Sequence, residues 1–327
     1  MMKADLSRFY VITCISNTAR YKSRYDLYRK FEAMVKSAGV KMITVEMALG
    51  ERAFEITERD NPYHLQLRSI DEMFHKENML NLGIQYLMQF DPQAREVAWI
   101  DADVFPSMLP IDWFSETWHQ LQVHEVVQMF EYAQDLDPNY NHIGKLHNGF
   151  MATYVKSGYV RPTLHGNWKL GYYDVHGHPG YAWAANIQTA ITPLGGLCEA
   201  GILGSNDRHM AMALISCVEQ SRSDNLSPGY KMYLKAWQER ADRYIKKDVG
   251  YVKGTIFHGY HGAKKNRGYS DRWKVLIDSQ FDPYTDLKRD AQGLFQFETH
   301  SDRQILLRDR VRSYMRSRNE DCIYTGV

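Results

Sequence analysis

Hydrophobic positions in this chain fall into two patterns that alternate: short unbroken apolar runs, and apolar residues spaced three and four apart. Residues 9–15, Phe-Tyr-Val-Ile-Thr-Cys-Ile, form an unbroken run of strand length. A polar loop follows, from Ser16 to Arg20. Leu27, Phe31, Met34 and Val35 then share one helical face, and Gly39 supplies a C-cap. Residues 41–46 read as a second strand. This β-loop-α-β opening is the unit of a parallel α/β sheet. Leu80, Ile84, Leu87 and Met88 mark a second amphipathic helix over about residues 71–90. A strand ends at Asp101, and residues 126–130 form another. Residues 135–196 are rich in Gly, His, Asn and aromatics, which predicts irregular binding loops rather than core. Helical spacing resumes over 207–218 and 229–244. Residues 249–257 read as one further strand, and 302–318 as an Arg-rich helix. No repeat or low-complexity tract interrupts the pattern. The expectation is one α/β domain over residues 1–298, with a mixed, mostly parallel sheet flanked by helices, and a basic helical tail over 299–327.

Composition narrows the function classes. A hydrophobic fraction of 44% with 24% charged residues is that of a soluble globular protein. The net charge of +1 rules out a polycation, so any contact with nucleic acid must come from a local patch. Two segments could supply one. Lys264, Lys265, Arg267, Arg272 and Lys274 form the first; Arg303, Arg308, Arg310, Arg312, Arg316 and Arg318 form the second. Each reads equally as a solvated face. Cys14, Cys198, Cys217 and Cys322 have no zinc or redox spacing, which fits free thiols in a reducing compartment. No apolar run is long enough to span a membrane, and the expected location is the cytoplasm.

The candidate chemistry centres on residues 96–106, Glu-Val-Ala-Trp-Ile-Asp-Ala-Asp-Val-Phe-Pro. An apolar strand runs into Asp101 and Asp103, whose side chains point the same way by strand alternation. Carboxylates held that close repel unless they share a proton or a cation. Mg²⁺ and Mn²⁺ take oxygen ligands and bridge carboxylates to phosphates. The competing reading is a strand end followed by an Asp-rich turn. Asp207, in Gly-Ser-Asn-Asp, could activate a hydroxyl or simply start a helix. His142, His147, His165, His176 and His178 match no zinc spacing. Ser157, Thr153 and Cys14 have no nucleophile-elbow context, and the chain lacks a phosphate-binding Gly-Lys-Ser/Thr loop, so a kinase or dehydrogenase reading lacks its essential parts.

Several blocks, in order, make the chain resemble the GT-A-fold glycosyltransferases of the Asp-x-Asp type, and in particular those encoded by bacteriophages. The blocks are residues 11–20, Phe74-His-Lys-Glu-Asn-Met-Leu-Asn81, Ile100-Asp-Ala-Asp103, Gly180-Tyr-Ala-Trp-Ala-Ala185, Gly195-Gly-Leu-Cys-Glu199, Gly204-Ser-Asn-Asp207, and Phe257-His-Gly-Tyr-His-Gly262 with the basic residues that follow. The resemblance implies a GT-A-like, Rossmann-like sheet, a nucleoside-diphosphate sugar as donor (a UDP-sugar favoured) and a divalent metal, Mn²⁺ or Mg²⁺. It implies that Asp103 binds the metal and that Asp101 contacts it through water or meets the ribose. His258 or His261 completes the ligand set. Thr13, Ser16, Arg20, Lys76, Asn78, Trp183 and Lys264 are the implied donor-binding residues, and Asp207 and Glu199 the implied acceptor-activating carboxylates. The implied acceptor is a hydroxymethylated pyrimidine in DNA, held with help from the basic C-terminal region; a glycan, lipid-linked sugar or protein hydroxyl is the alternative. A nonenzymatic nucleic-acid-binding protein and a metal-dependent nuclease are the rival classes.

Overall fold

The computed structural model describes residues 3–157, 177–262 and 271–322. Among them, a seven-stranded sheet is built around β1 (Phe9–Ser16). On one side of it lie β2 (Lys41–Leu49) and β3 (His64–Ser69), all parallel. On the other side lies β4 (Glu96–Ile100), also parallel. Next comes β9 (Ala182–Asn186), antiparallel to both its neighbours, then β6 (Val126–Gln128) and β10 (Val249–Tyr251). The architecture is therefore the expected mixed, mostly parallel sheet flanked by helices.

β1 shows no polar alternation because both its faces are covered. Phe9 and Val11 pack with α1 (Lys22–Ser37) and α3 (Pro110–Leu121), against Phe31, Val35, Trp113 and Phe114. Tyr10 and Ile12 point the other way, into a larger core. That core contains Leu80, Ile84 and Leu87 of α2 (Lys76–Phe90), and residues of α4 (Phe150–Ser157), α5 (Asn206–Leu214) and α6 (Pro228–Tyr244). α2 lies directly on the sheet: a Cβ at Gly83 would stand 2.7 Å from Val45 Cγ2 and 2.9 Å from Ile12 Cγ2. A smaller sheet runs β5 (Val104–Pro106), β11 (Thr255–His258), β7 (Tyr132–Leu136), β8 (His142–Asn148). α7 (Asp271–Asp278), the hairpin of β12 (Leu287–Arg289) and β13 (Phe295–Phe297), and α8 (Asp302–Ser317) complete the fold.

Several expectations need correction. The described part of the segment 135–196 carries regular elements, β8, α4 and β9, where irregular loops were expected. β9 sits inside the main sheet with Ala182, Ala184 and Ala185 buried. The expected strand over 249–257 is two strands in different sheets, separated at Gly254, whose φ is +124°. The helix expected from residue 71 begins at Lys76. Asp71 instead stays outside it and accepts a bond from Phe297 N–H at 2.8 Å. The helix of the basic tail packs Leu307, Val311 and Tyr314 into the larger core, after a capping box between Ser301 and Gln304. Its arginines are largely paired within the fold: Arg303 with Asp286, Arg312 and Arg316 with Glu72, Arg308 with Asp309. Among the described residues, no helix is long and apolar enough to cross a membrane.

The strand order places β2 and β4 on opposite sides of β1, so the chain reverses direction across the sheet there. In open α/β sheets, a crevice forms outside the carboxyl ends of strands at such a point. The close packing of α2 that frames this crevice is testable. Helix propensity alone would make Gly83→Ala stabilising by about 1 kcal/mol. Overpacking against Val45 and Ile12 costs about 1–3 kcal/mol. Urea unfolding should therefore show Gly83→Ala less stable than the wild type, and Gly83→Val less stable again.

Candidate active site

A cleft of about 400 Å³ opens at the carboxyl ends of β1 and β4, a size that suits a small-molecule ligand. The turn after β4 forms part of its wall and is tied down from three directions. Thr13 Oγ1 donates to the Ile100 carbonyl at 2.8 Å. Asp101 N–H donates to the Tyr181 carbonyl at 2.9 Å, and Val104 N–H to the Asp101 carbonyl at 3.2 Å.

The two aspartates have different partners. Asp101 forms an ion pair with Lys76, in the first turn of α2. Burial works against the charge on Lys76, but Asp101, Glu77 and Asp207 together hold its pKa above the ordinary lysine range. Asp103 faces two histidines. Its Oδ2 lies 3.0 Å from His261 Nε2 and 3.7 Å from His258 Nε2. Its Oδ1 is buried with no hydrogen-bond partner among the described residues. Burial would raise the Asp103 pKa, and the two histidines overcome this and hold it well below the usual carboxylate range.

Each histidine is backed by a carboxylate. His258 Nδ1 lies 2.9 Å from Asp135 Oδ1, and the other oxygen of Asp135 lies 3.6 Å from His147 Nε2. His261 Nδ1 lies 3.1 Å from Glu320 Oε2. Glu320 is in turn clasped by Arg24 and by Arg318, the latter at 3.0 Å. A carboxylate at Nδ1 favours a proton on that nitrogen and leaves the Nε2 lone pair for a cation. The resulting donor set is one carboxylate and two imidazoles, with ligand atoms within 4.8 Å of one another. Together with the orphaned Oδ1, this set fits a divalent ion; carboxylate with imidazole suits Mn²⁺ better than Mg²⁺.

The rest of the cleft wall carries Glu77, Gly180, Tyr181, Ser205, Asp207 and Arg272. Glu77 accepts a bond from Asn206 Nδ2 at 2.7 Å. Burial raises its pKa to about 7, with Lys76 opposing the rise and Asp207 adding to it. Asp207 sits in the first turn of α5, where its Oδ1 accepts from Arg208 N–H at 2.8 Å. The helix is entered from Ser205, not Asp207, at a left-handed φ of +81°. A Cβ at Gly180 would stand 2.7 Å from Asp207 Oδ2, so the glycine makes room for that carboxylate. Tyr181 also has positive φ, +79°. Left-handed backbone is costly for such residues and concentrates where a site requires it.

Of the residues expected from sequence, Ser16, Lys76, Asp101, Asp103, Asp207, His258 and His261 line this cleft. Five others do not. Thr13 is fully buried and anchors the turn after β4. Arg20 pairs with Glu55 at the surface. Trp183 stacks on Trp99 across β4 and β9, with ring centroids 6.5 Å apart and an interplanar angle of 6°. Glu199 accepts from Asn78 Nδ2 at 3.1 Å and Asn81 Nδ2 at 3.0 Å, and pairs with Arg289. It clasps α2 to the β12–β13 hairpin, and Asn78 belongs to that clasp. Lys264, His165 and His176 lie outside the described residues. Arg24, Glu77, Asp135 and Glu320 were not anticipated. Glu77 lies within the stretch Phe74 to Asn81, whereas nothing in the sequence around Glu320 marks it.

No family model matches the chain, and no curated protein matches it. Solved structures show distant likeness, among them the following two. A mutant Drosophila beta-1,4-galactosyltransferase 7, in complex with manganese, UDP-Gal and xylobiose, aligns over 92% of this chain and 98% of its own at 9% identity and a TM-score of 0.42. A protein described as a glucose-1-phosphate thymidylyltransferase from Bacillus anthracis, in complex with sucrose, aligns over 83% and 96% at 9% identity and a TM-score of 0.35. At that distance the likeness decides nothing about chemistry; the residues in the cleft must.

The charge state of Glu77 makes stability depend on pH. Its folded pKa, about 7, lies above the ordinary glutamate value of 4.5. The contribution is fully present below 4.5 and is lost as pH rises through 7. Glu77→Gln, which stays neutral, should therefore gain thermal stability relative to the wild type between pH 5 and pH 8. A Tm difference independent of pH would contradict this assignment.

Proposed function

We propose that the chain transfers a glycosyl group from a nucleoside-diphosphate sugar, with UDP-sugars favoured, to a hydroxyl acceptor, using a divalent cation, with Mn²⁺ favoured. The observation that carries the proposal is the convergence of Asp103, His258 and His261 beside a cleft at the switch point of the sheet. Those three residues would hold the cation. When bound, it supplies positive charge to the leaving diphosphate.

The chain's own residues do the rest. Lys76, fixed by Asp101, keeps an ammonium group on the cleft wall to meet phosphate oxygens. Asp207 orients the acceptor hydroxyl and takes its proton as the new bond forms to the anomeric carbon. The electron pair of the broken carbon–oxygen bond leaves with the diphosphate. Glu77 stands beside this step as a carboxyl that titrates near neutral pH. The acceptor the resemblance implies is a hydroxymethylated pyrimidine in DNA, and simple glycosides are the natural comparison.

Nucleotide release from a panel of UDP- and GDP-sugars, with Mn²⁺, Mg²⁺ or EDTA, tests the reading. Release from a UDP-sugar is expected with Mn²⁺ and should disappear with EDTA and in Asp103→Ala. Asp207→Asn should lower transfer to an added acceptor by about 100-fold or more. Release indifferent to Asp103→Ala would sink the proposal. Metal-dependent nicking of DNA without any sugar nucleotide would replace it with the nuclease reading.

A further inference from the structure

The two histidines facing Asp103 are supported in different ways. His258 pairs in register with Asp135 across β11 and β7, so its carboxylate comes from the neighbouring strand of the same sheet. The carboxylate behind His261 comes from residues 318–322, a segment that returns from α8 to lie against the cleft. This segment is docked at three points. Glu320 is buried and accepts from Arg24, including Nη2 at 2.9 Å. Asp321 accepts from the backbone N–H groups of Lys22 at 2.7 Å and Ser23 at 3.0 Å. α1 has no acidic residue in its first turn and no side-chain cap at Tyr21, so Asp321 caps it from the far end of the sequence. Gly262, next to His261, has φ +95°; a Cβ there would stand 2.6 Å from the Asn319 carbonyl oxygen and 2.7 Å from Glu320 Cα. The segment approaches this closely because the residue is glycine.

We propose that Glu320 is a positioning residue for the cation site: it holds the His261 proton on Nδ1, so that Nε2 presents its lone pair beside Asp103. Cation affinity then depends on the docking of residues 318–322, which also cap the helix leading away from the β1 loop. This inference rests on the cation reading given above.

Mn²⁺ titration followed by electron paramagnetic resonance of the free ion tests it on the full chain, with thermal unfolding as a check on the fold. Wild type should bind Mn²⁺ and Asp103→Ala should not. Glu320→Gln should bind about 10- to 100-fold more weakly, and Asp321→Asn should weaken binding several-fold by loosening the segment while the Glu320 carboxylate stays intact. Wild-type affinity in a cooperatively folded Glu320→Gln overturns the inference and leaves the cation reading standing. Failure of wild type to bind Mn²⁺ more tightly than Asp103→Ala overturns both. A measurement on the unmutated chain decides the case even if Glu320→Gln fails to fold. Nitrogen-15 spectra of the wild type loaded with diamagnetic Zn²⁺ should show the His261 ring protonated at Nδ1 and bare at Nε2; a proton at Nε2 overturns the inference.

Discussion

A carboxylate drawn largely out of solvent must have positive charge beside it, and two carboxylates one residue apart must each find their own. That constraint organises this molecule. Asp101 finds Lys76 at the start of α2. Asp103 finds two imidazoles, and its second oxygen finds no hydrogen-bond partner among the described residues. Each imidazole then needs a negative partner behind it, which Asp135 and Glu320 provide. Glu320 needs compensation in turn, and Arg24 and Arg318 supply it. The chain of charges thus runs outward from one strand end to α1, the smaller sheet and the segment after α8. Imidazoles aimed at a carboxylate are tolerable only with a proton or a cation among them, and the proposed ion would meet that need.

The parts of this plan legible in the sequence are those with local causes. β1 and β2 announce themselves because strands covered on both faces are continuous apolar runs. α1 and α2 show their spacing because each presents one face to the sheet. Asp101 and Asp103 stand out because strand-end carboxylates in this pattern are chemically awkward. β9 escaped notice for an equally physical reason: Ala182, Ala184 and Ala185 are small residues wedged between β4 and β6, with neither alternation nor β-branching to mark a strand. Its one large side chain, Trp183, suggested a sugar platform but sits opposite Trp99 in the core.

The Gly195–Gly196 region misled in a similar way. A glycine-rich run before a glutamate suggests a loop that approaches a ligand. Here the close approach is to protein: a Cβ at Gly196 would stand 2.7 Å from Asn81 Oδ1, the side chain whose amide also binds Glu199. Glycine reports that something comes near, and sequence does not say what. Glu320 is the opposite case, a residue with no local signal at all. Its partners His261 and Arg24 are 59 and 296 residues away, so only the completed fold reveals it.

That distance has a thermodynamic consequence. The three proposed ligands come from the turn after β4, from the end of β11 and from the loop beyond it, and the group orienting one of them comes from beyond α8. No subset of neighbouring elements contains the site, so the unfolded chain offers no equivalent donor set. An ion that binds only the folded arrangement stabilises the whole of it by mass action. The same ion would relieve the crowding of Asp103 against His258 and His261. On the proposed cation reading, binding of the ion and the integrity of the sheet's switch point form one equilibrium, and the segment that carries Glu320 enters it as a third party.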